Sequence, residues 1–408
     1  MDAEELTKRY AELAVRVGVN IQPDQILAVD ALVEHAPFAR ALADFAYRAG
    51  ARYVDVNYLD QRVRHAMVEL AEEDTLSWTP PYVLERRKEL ADRKGAYIKV
   101  SGEPDPNLFA DLSPERVGKA RMLELTDLSL RQVNERSVAW AIVAFPTEGW
   151  ARALFGEPDV NRLWDAVAKA TRLYDHDPVE TWWANAKELA ARAEAMNELR
   201  LDALHYSGPG TDLTVGLHEK GRWLCAEFET AWGQSHIPNL PTEEVFTSPD
   251  FRRAEGHVAS TRPLQLTNEG VTVENLRFRF EGGKIVEVDA SAHADVVKAQ
   301  LATDDRAAYL GEVALVDKAS AVGRTGMTFG NTLFDENATA HIAYGTGFGF
   351  ARDTGGGPLS DPELDELGVN VSKIHTDFMI GGPEVEIVGI TRDGKRIPII
   401  SNDTWQLT

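Results

Sequence analysis

The amino-acid sequence predicts an α/β protein, with an N-terminal α/β domain on a mainly parallel sheet and a C-terminal α+β domain rich in short antiparallel strands. Two observations lead to this fold class. Helical and strand-like segments alternate along residues 1–200, as they do in βαβ units, which build parallel sheets. Along residues 201–408, short strand-like segments are separated by tight turn signals. We therefore place the domain boundary near residue 200.

The N-terminal elements follow from apolar spacing and turn residues. Residues 4–18 have the apolar spacing of a helix, and residues 26–29 form a short apolar strand. A helix at 37–49 ends before Gly50, a residue that commonly closes helices, and a strand at 52–57 completes a βαβ unit. The same pattern predicts a helix at 81–94, strands at 96–100 and 137–145, and helical stretches around Trp150, at 160–173 and at 179–199.

Turn residues divide the C-terminal domain into short strands. Gly282-Gly283 and Asp393-Gly394 are two-residue connections typical of β-hairpins. We also expect a helix at 304–313 and another that begins at Asp335, a residue suited to a helix N-cap. The predicted strands are 201–207, 212–217, 222–228, 273–281, 284–289, 384–391 and 396–400.

Composition limits the function classes. The chain has 408 residues, a formal net charge of −22 and 44% apolar residues, enough for a folded core. The negative charge opposes binding to nucleic acid and to anionic membrane surfaces, both of which need clustered Lys and Arg. Such a charge ordinarily serves solubility, and it is also compatible with carboxylates gathered in a cation-attracting cavity.

Targeting and redox signals are sparse. No apolar run approaches 18 residues, and residues 1–5 carry no basic or apolar signal segment. We therefore expect a soluble cytoplasmic protein. Cys225 is the only cysteine, which excludes a disulfide framework and a Cys-rich zinc site. Because it lies in the predicted strand 222–228, we interpret it as buried filler rather than as a nucleophile.

The C-terminal domain contains a His-x-Asp pair, His375 and Asp377, in an extended segment. Side chains two residues apart on a strand share one face, so this imidazole and this carboxylate can reach the same cation. Neutral histidine nitrogens and carboxylates are the usual ligands of catalytic zinc and of similar divalent ions. The pair alone is a weak signal, and its weight comes from the acidic residues and the further histidine around it.

Two glutamates are further candidates. Glu243 and Glu244 lie in a loop that enters a strand, where adjacent side chains face opposite directions, so one of them can face a given site. Glu312 falls at the end of the helix predicted at 304–313, where the helix dipole disfavours a carboxylate and a bound cation would offset that cost. Taken singly, each also fits a solvated acidic residue.

His341 lies about two turns into the helix predicted to begin at Asp335, and Glu336 lies at the start of that helix. Alone, His341 also fits a packed core histidine, and Glu336 fits a metal ligand, a cap or a solvated acid. Three carboxylates and two imidazoles are more ligands than one zinc usually takes, and they suit a pair of divalent ions bridged by a carboxylate. Hydrolysis of a peptide at its N-terminus is one standard use of such a pair.

Several sequence phrases occur together: GTDLTVGL at 210–217, NLPTEEVFTSP at 239–249, STRPL at 260–264, LGEVAL at 310–315, NTLFDENATAH at 331–341 and HTDFMIG at 375–381. With them the chain resembles the M29 family of metallo-aminopeptidases, the thermophilic aminopeptidase family, over nearly its whole length. The resemblance implies that the metal ligands are Glu244, Glu312, His341, His375 and Asp377. Glu336 matches a further acidic position of the family.

One position departs from the family pattern. Seven residues after His341, where the family usually has a tyrosine near the metals, this chain has Phe348. A phenyl ring cannot donate a hydrogen bond to an oxyanion. Tyr344 precedes it by four residues and would lie on the same face of a continuing helix, so it is the candidate for the missing hydroxyl.

The resemblance implies an aminopeptidase that releases N-terminal residues from short peptides. It also implies two divalent metal ions per chain (Zn, Co, Mn or Mg) and a homodimer that encloses a cavity. One alternative is a mononuclear non-haem iron dioxygenase, because ring-cleaving enzymes of this kind resemble the scaffold and use two histidines and one carboxylate. Another is a non-catalytic binder of small molecules. Retention of both Glu244 and Glu312 favours the peptidase.

Overall fold

The computed structural model describes residues 1–267, 269–355 and 357–407. The helices in these ranges are α1 (Ala3–Leu13), α2 (Ala36–Arg48), α3 (Gln61–Leu70), α4 (Glu73–Leu76), α5 (Pro81–Asp92), α6 (Pro114–Lys119), α7 (Leu123–Asn134), α8 (Glu148–Phe155), α9 (Val160–Ala170), α10 (Pro178–Leu199), α11 (Ala294–Leu301), α12 (Thr332–Asp335) and α13 (Asp361–Glu366). Within these ranges, every helix is too short or too polar to span a lipid bilayer.

The strands form separate sheets. They are β1 (Ile26–Leu32), β2 (Tyr53–Leu59), β3 (Ala96–Ser101), β4 (Ala139–Ala144), β5 (Leu201–Gly208), β6 (Thr211–Gly216), β7 (Phe228–Glu229), β8 (Ser235–His236), β9 (Asn239–Leu240), β10 (Val245–Thr247), β11 (Ala254–Ala259), β12 (Leu264–Leu266), β13 (Val271–Val273), β14 (Arg277–Glu281), β15 (Lys284–Asp289), β16 (Leu310–Leu315), β17 (His341–Gly345), β18 (His375–Met379), β19 (Glu386–Thr391), β20 (Arg396–Ser401) and β21 (Thr404–Trp405).

The chain divides into two compact units, each built from separate stretches of sequence. Unit 1 comprises 1–187, 226–242 and 267–271, and unit 2 comprises 188–225, 243–266 and 272–408, within the described ranges. The sequence suggests continuous domains at 1–200 and 201–408, whereas in the structure the later stretches 226–242 and 267–271 belong to unit 1. The first of these stretches contains β9, which belongs to unit 1 because it pairs with β4.

Unit 1 carries a parallel sheet in the order β2–β1–β3–β4–β9, which confirms the mixed α/β class. One face of its central strands is apolar and fully buried, whereas the other face includes polar or partly exposed residues such as Asp30, Tyr97 and Lys99. Leu27, Val29, Ile98 and Ala141 have no exposed surface. The predicted helices and strands of this unit are present, and the structure adds α3, α4, α6 and α7, which the sequence analysis did not assign.

A buried histidine stabilises one end of this sheet. The backbone N–H of Leu32 donates to Nδ1 of His35 at 3.2 Å, and Nε2 of His35 lies 3.0 Å from the carbonyl oxygen of Gly102. Nδ1 accepts and Nε2 donates, so the ring is the neutral tautomer. Burial lowers the pKa of His35 to about 4, since a charged ring would lose its hydration.

Unit 2 contains an antiparallel sheet in the order β15–β14–β11–β6–β5–β19–β20–β21. The hairpins predicted at Gly282-Gly283 and Asp393-Gly394 are confirmed as the β14–β15 and β19–β20 pairs. Gly283 has φ +83°, and a Cβ there would lie 2.0 Å from the carbonyl oxygen of Phe251, so glycine is required at this turn. Cys225 is buried as expected, but isolated bridges at Gly221 and Leu224 replace the strand predicted around it.

A second antiparallel sheet of unit 2, in the order β10–β16–β17–β18, corrects two helix predictions. Glu312 lies in the middle of strand β16, where a helix was predicted at 304–313, and His341 begins strand β17 rather than lying two turns into a helix. Every residue of both strands is buried, so the alternation that marks a strand is missing from the sequence. The helix predicted to begin at Asp335 is also wrong, because the single turn α12 ends at Asp335 and a 3₁₀ turn follows at Glu336–Ala338.

Candidate metal centre

Small side chains on the central strand leave room for a cluster of ligands. Ala343 on β17 is paired with Glu312 on one side and with Asp377 on the other. Gly345, two residues along the same face, is paired with His375. Because residues paired across a sheet point to the same face, Glu312, His375 and Asp377 all project above this part of β17.

The remaining ligands reach the same face from β10 and from the start of β17. His341 lies two residues before Ala343, and Glu244 precedes β10, whose Phe246 is paired with Ala314 of β16. Because side chains alternate along an extended segment, Glu244 points to the same face as Phe246, and Glu243 points to the opposite face. Glu243 accepts a hydrogen bond from the backbone N–H of Ala321 at 3.1 Å. The expectation that only one of the two adjacent acids faces the cluster agrees with this geometry.

Among the described residues, two groups of candidate ligands lie close enough to hold ions, and they share Glu312. Glu244, Glu312 and His341 form one group, and Glu312, His375 and Asp377 form the other, with ligand atoms within 4.8 Å of one another in each. His341 Nε2 lies 3.1 Å from Glu244 Oε2. His375 Nε2 lies 3.2 Å from both Glu312 Oε2 and Asp377 Oδ1. Glu312 is the carboxylate common to both groups.

Both histidines are oriented by backbone carbonyls. His341 Nδ1 lies 3.0 Å from the carbonyl oxygen of Glu336, and His375 Nδ1 lies 2.8 Å from that of Thr346. A carbonyl only accepts hydrogen bonds, so each Nδ1 carries a proton and each Nε2 faces the cluster, where a metal ion can take the place of the proton that Nε2 shares with a carboxylate. Protein metal sites use this arrangement to fix the tautomer and the ring orientation of ligating histidines.

Burial and crowded charge shift the pKa values of the cluster. Burial raises the pKa of Glu312 to about 7, and nearby Glu244 and Asp377 add to this shift. Burial alone would lower the pKa of His341, but its hydrogen bond with Glu244 and the other carboxylates raise it to about 10. Burial would raise the pKa of Asp377, yet adjacent His375 holds it below its usual value. The carboxylates thus strongly favour positive charge at this place.

Glu336 lies beside the two groups without belonging to either. Its side chain is buried, and burial together with the charge of Asp377 raises its pKa well above the usual value. Asn337 connects it to the rest of the centre. The Asn337 amide donates to Glu336 Oε1 at 3.3 Å, and its oxygen accepts from the backbone N–H of Glu243 at 2.7 Å. Asn337 therefore ties the Glu336 carboxylate to the segment that carries Glu244.

Phe348 and Tyr344 occupy different faces. The Phe348 ring lies 5.3 Å from the His375 ring, centroid to centroid, so its position is adjacent to the cluster. Tyr344 is paired with Thr376, on the face of β17 opposite to Ala343, and its hydroxyl donates to Gln300 Oε1. The suggestion that Tyr344 supplies a hydroxyl to the site assumed a continuous helix. In a strand, this side chain points away from the cluster.

The donor set suits divalent metal ions. It offers carboxylate oxygens and imidazole nitrogens without thiolate, a combination that Zn²⁺, Co²⁺, Mn²⁺ and Mg²⁺ accept in proteins. The two Nε2 lone pairs converge on the cluster because their Nδ1 partners are fixed. Sequence reasoning missed the structural roles of Asn337, Ala343 and Thr346. The Asp-Glu-Asn run at 335–337 was noticed, but nothing in it showed that the amide would contact Glu243.

Comparison with known proteins identifies relatives along the whole chain. The sequence profile of the thermophilic metalloprotease (M29) family matches residues 3–405. Aminopeptidase T of Thermus aquaticus is 42% identical over 99% of this chain and 100% of its own length. Aminopeptidase PepS of Streptococcus thermophilus is 37% identical over 98% of each chain. The solved structure of wild-type AmpT from Thermus thermophilus is similar with a TM-score of 0.87 and 38% identity, covering 98% of this chain and 99% of that one.

Proposed function

Because the chain belongs to the thermophilic metalloprotease family M29 and is a metallo-aminopeptidase, we propose that it releases N-terminal amino acids from short peptides at a dinuclear divalent-metal site. Glu244, Glu312, His341, His375 and Asp377 would hold the two ions, with Glu336 as a further ligand. The observation that carries the proposal is the pair of three-residue groups that share Glu312.

Two divalent ions, when bound, polarise a peptide carbonyl and make water a stronger nucleophile near neutral pH. Glu312 is the carboxylate common to both groups, so it would hold the two ions at a fixed place beside each other. His341 and His375 stay oriented throughout, because their Nδ1 atoms remain bonded to the carbonyls of Glu336 and Thr346.

The test compares free and blocked N-termini. Metal-reconstituted enzyme should hydrolyse leucine p-nitroanilide and short peptides from the N-terminus, and it should leave the N-acetylated forms intact. Glu312→Gln keeps the size of the side chain but replaces the carboxylate common to both groups with an amide, so bound metal and turnover should fall together, turnover by more than about 100-fold. Cleavage of N-acetylated or internal sites at comparable rates would contradict an aminopeptidase.

The iron dioxygenase is not favoured. Such a site needs two histidines and one carboxylate, whereas Glu244, Glu312 and Asp377 all contact the histidines here. The homodimer and the restriction to short peptides belong to the same proposal and rest on the family resemblance, whereas the cytoplasmic location is proposed from the sequence alone. Light scattering at working concentration tests the dimer, for which the expected mass is twice the chain mass of 45.1 kDa.

A further inference from the structure

The metal centre is more accessible on one side than on the other. The side chains of His341 and Glu312 are 1% and 6% exposed, whereas those of His375 and Asp377 are 18% and 16% exposed. His375 and Asp377 are therefore the candidate ligands most open to a substrate. What lines this side decides which substrate side chain can be accommodated next to the reacting bond.

Aromatic rings line this side. The Phe348 ring lies 5.3 Å from the ring of His375, 5.2 Å from that of Phe350 in a stacked arrangement, and 5.7 Å from that of Phe246 at an edge-to-face angle. Phe246 is buried, while Phe348 and Phe350 are partly exposed. We call Phe246, Phe348 and Phe350 the aromatic wall. It places apolar surface beside a charged cluster, and apolar walls with a few convergent polar groups are the usual composition of sites that bind small molecules.

The wall is held rigidly in place. The backbone N–H of Phe348 donates to Ser248 Oγ at 2.7 Å. The buried guanidinium of Arg352 donates to the carbonyl oxygens of Ser248 and Pro249 at 2.7 and 2.9 Å. A Cβ on Gly347 would lie 2.8 Å from the carbonyl oxygen of Gly311, so this loop packs directly on β16. A preorganised apolar surface binds an apolar group without an added ordering cost.

We propose that Phe348 and Phe350 form the subsite for the side chain of the substrate's N-terminal residue, so that the enzyme prefers peptides that begin with an aromatic or large aliphatic residue. This inference rests on the proposed aminopeptidase function. It also gives the phenylalanine at position 348 a role of its own. A ring without a hydroxyl extends the apolar surface to the edge of the cluster, where a phenol would place a polar atom.

The experiment compares three aminoacyl p-nitroanilides, those of phenylalanine, leucine and alanine. Phe350→Ala removes part of the wall without touching a candidate ligand directly, and Phe348→Leu keeps apolar volume beside His375. Phe155→Ala is the matched control, because Phe155 is a partly exposed phenylalanine of α8 in unit 1. Metal content is measured for every variant.

For Phe350→Ala we expect kcat/KM for the phenylalanine substrate to fall about tenfold, mainly through KM, while the alanine substrate changes less than about twofold. Phe348→Leu should affect the phenylalanine substrate more than the leucine substrate, and Phe155→Ala should affect none. Equal losses on all three substrates would overturn the subsite, because a purely structural wall acts on every substrate alike.

Calorimetry supplies a readout that is independent of turnover. Free L-phenylalanine should bind the wild-type protein more tightly than L-alanine, and Phe350→Ala should reduce this difference about tenfold. Equal binding of the two amino acids by the wild-type protein would contradict the subsite even if hydrolysis occurs. Conversely, selective binding of L-phenylalanine without hydrolysis of any anilide would support the subsite and contradict the aminopeptidase.

Discussion

At the scale of single residues, the metal centre depends on two imidazoles whose free nitrogens point into a group of carboxylates. His375 Nε2 lies 3.2 Å from both Glu312 and Asp377, so it contacts two candidate ligands at once. Loss of this ring, or of the Asp377 carboxylate, should weaken the binding of both ions if the ions share Glu312. The consequences can be tested one side chain at a time.

His375→Ala and Asp377→Ala should each lower kcat/KM by more than about 100-fold, because even outer-shell partners of metal ligands cost roughly 10–100-fold. Bound metal should fall in parallel, as measured by elemental analysis after gel filtration. His257→Ala is the control, since His257 is an exposed histidine of β11 in the same unit. Wild-type turnover and metal content in His375→Ala would show that the ligand assignment is incorrect.

Glu244→Gln should reduce activity far more than Glu243→Gln. Glu244 contacts His341 at 3.1 Å, and an amide is a poor substitute for a carboxylate ligand. In Glu243→Gln an amide oxygen remains to accept the hydrogen bond from Ala321, so the change should be small. Parallel kcat measurements and metal titrations test this order. The reverse order would mean that Glu243 is the ligand.

Phe348→Tyr should raise kcat on an amino-acid anilide, because the new hydroxyl would lie close to His375. One oxyanion donor is worth roughly 10²–10³ in rate, and we expect less because the surroundings fit phenylalanine. Tyr344→Phe should leave kcat and KM unchanged, since Tyr344 bonds to Gln300 on the opposite face. If Phe348→Tyr has no effect on kcat, a hydroxyl at this position contributes nothing.

At the scale of elements, the neutral His35 links the end of β1 to the segment after β3, and this link should fail in acid. The folded pKa is about 4 and the unfolded value is 6.5, so the stabilisation is fully present above pH 6.5 and is lost as the pH falls through 4. A shift of this size corresponds to about 3 kcal/mol of unfolding free energy.

Urea unfolding between pH 7 and pH 4.5 measures this effect. His35→Asn keeps an acceptor for the N–H of Leu32 but has no group that titrates, so its stability should depend less on pH than that of the wild-type protein. It should also be less stable at pH 7 by about 1–3 kcal/mol, because the bond to Gly102 is lost. Identical pH slopes for the two proteins would assign the acid sensitivity to other groups.

Elements also show how far the sequence could lead. The parallel sheet of unit 1 was predictable because helices and Gly-terminated turns separate its strands. Strands β16 and β17 were mistaken for helices, because both are buried at every position and show no alternation. The candidate ligands could be recognised from their chemistry and from the family resemblance. Ala343 acts through strand pairing, Asn337 through a bond to the backbone of Glu243, and Thr346 through its backbone carbonyl. Such roles depend on the fold and cannot be recognised from the residue type.

At the scale of the whole molecule, the net charge of −22 has a local counterpart in the cluster of buried carboxylates. We expect two divalent ions per chain by elemental analysis of reconstituted protein. Chelation should abolish activity and lower the Tm, because ions that bind only the folded state stabilise it by mass action. A single ion per chain, with iron restoring oxygen uptake, would instead indicate the dioxygenase.

The ribosome synthesises parts of unit 2 before the last segments of unit 1, so unit 1 cannot be completed first. Over the described residues, the chain crosses between the units five times, and β9 lies at 239–240, well after the first stretch of unit 1 ends at 187. Tyr10 in α1 donates to the carbonyl oxygen of Leu240 at 2.7 Å, so this contact of the first helix cannot form until residue 240 has been synthesised. Because β4 ends at 144 and β9 ends at 240, the edge of β4 stays unpaired for roughly 5–20 s of synthesis at about 5–20 residues per second. During this time the growing chain can aggregate through the free edge of β4. The length of the interval depends on where β9 lies in the sequence, and not on the stability of the folded protein.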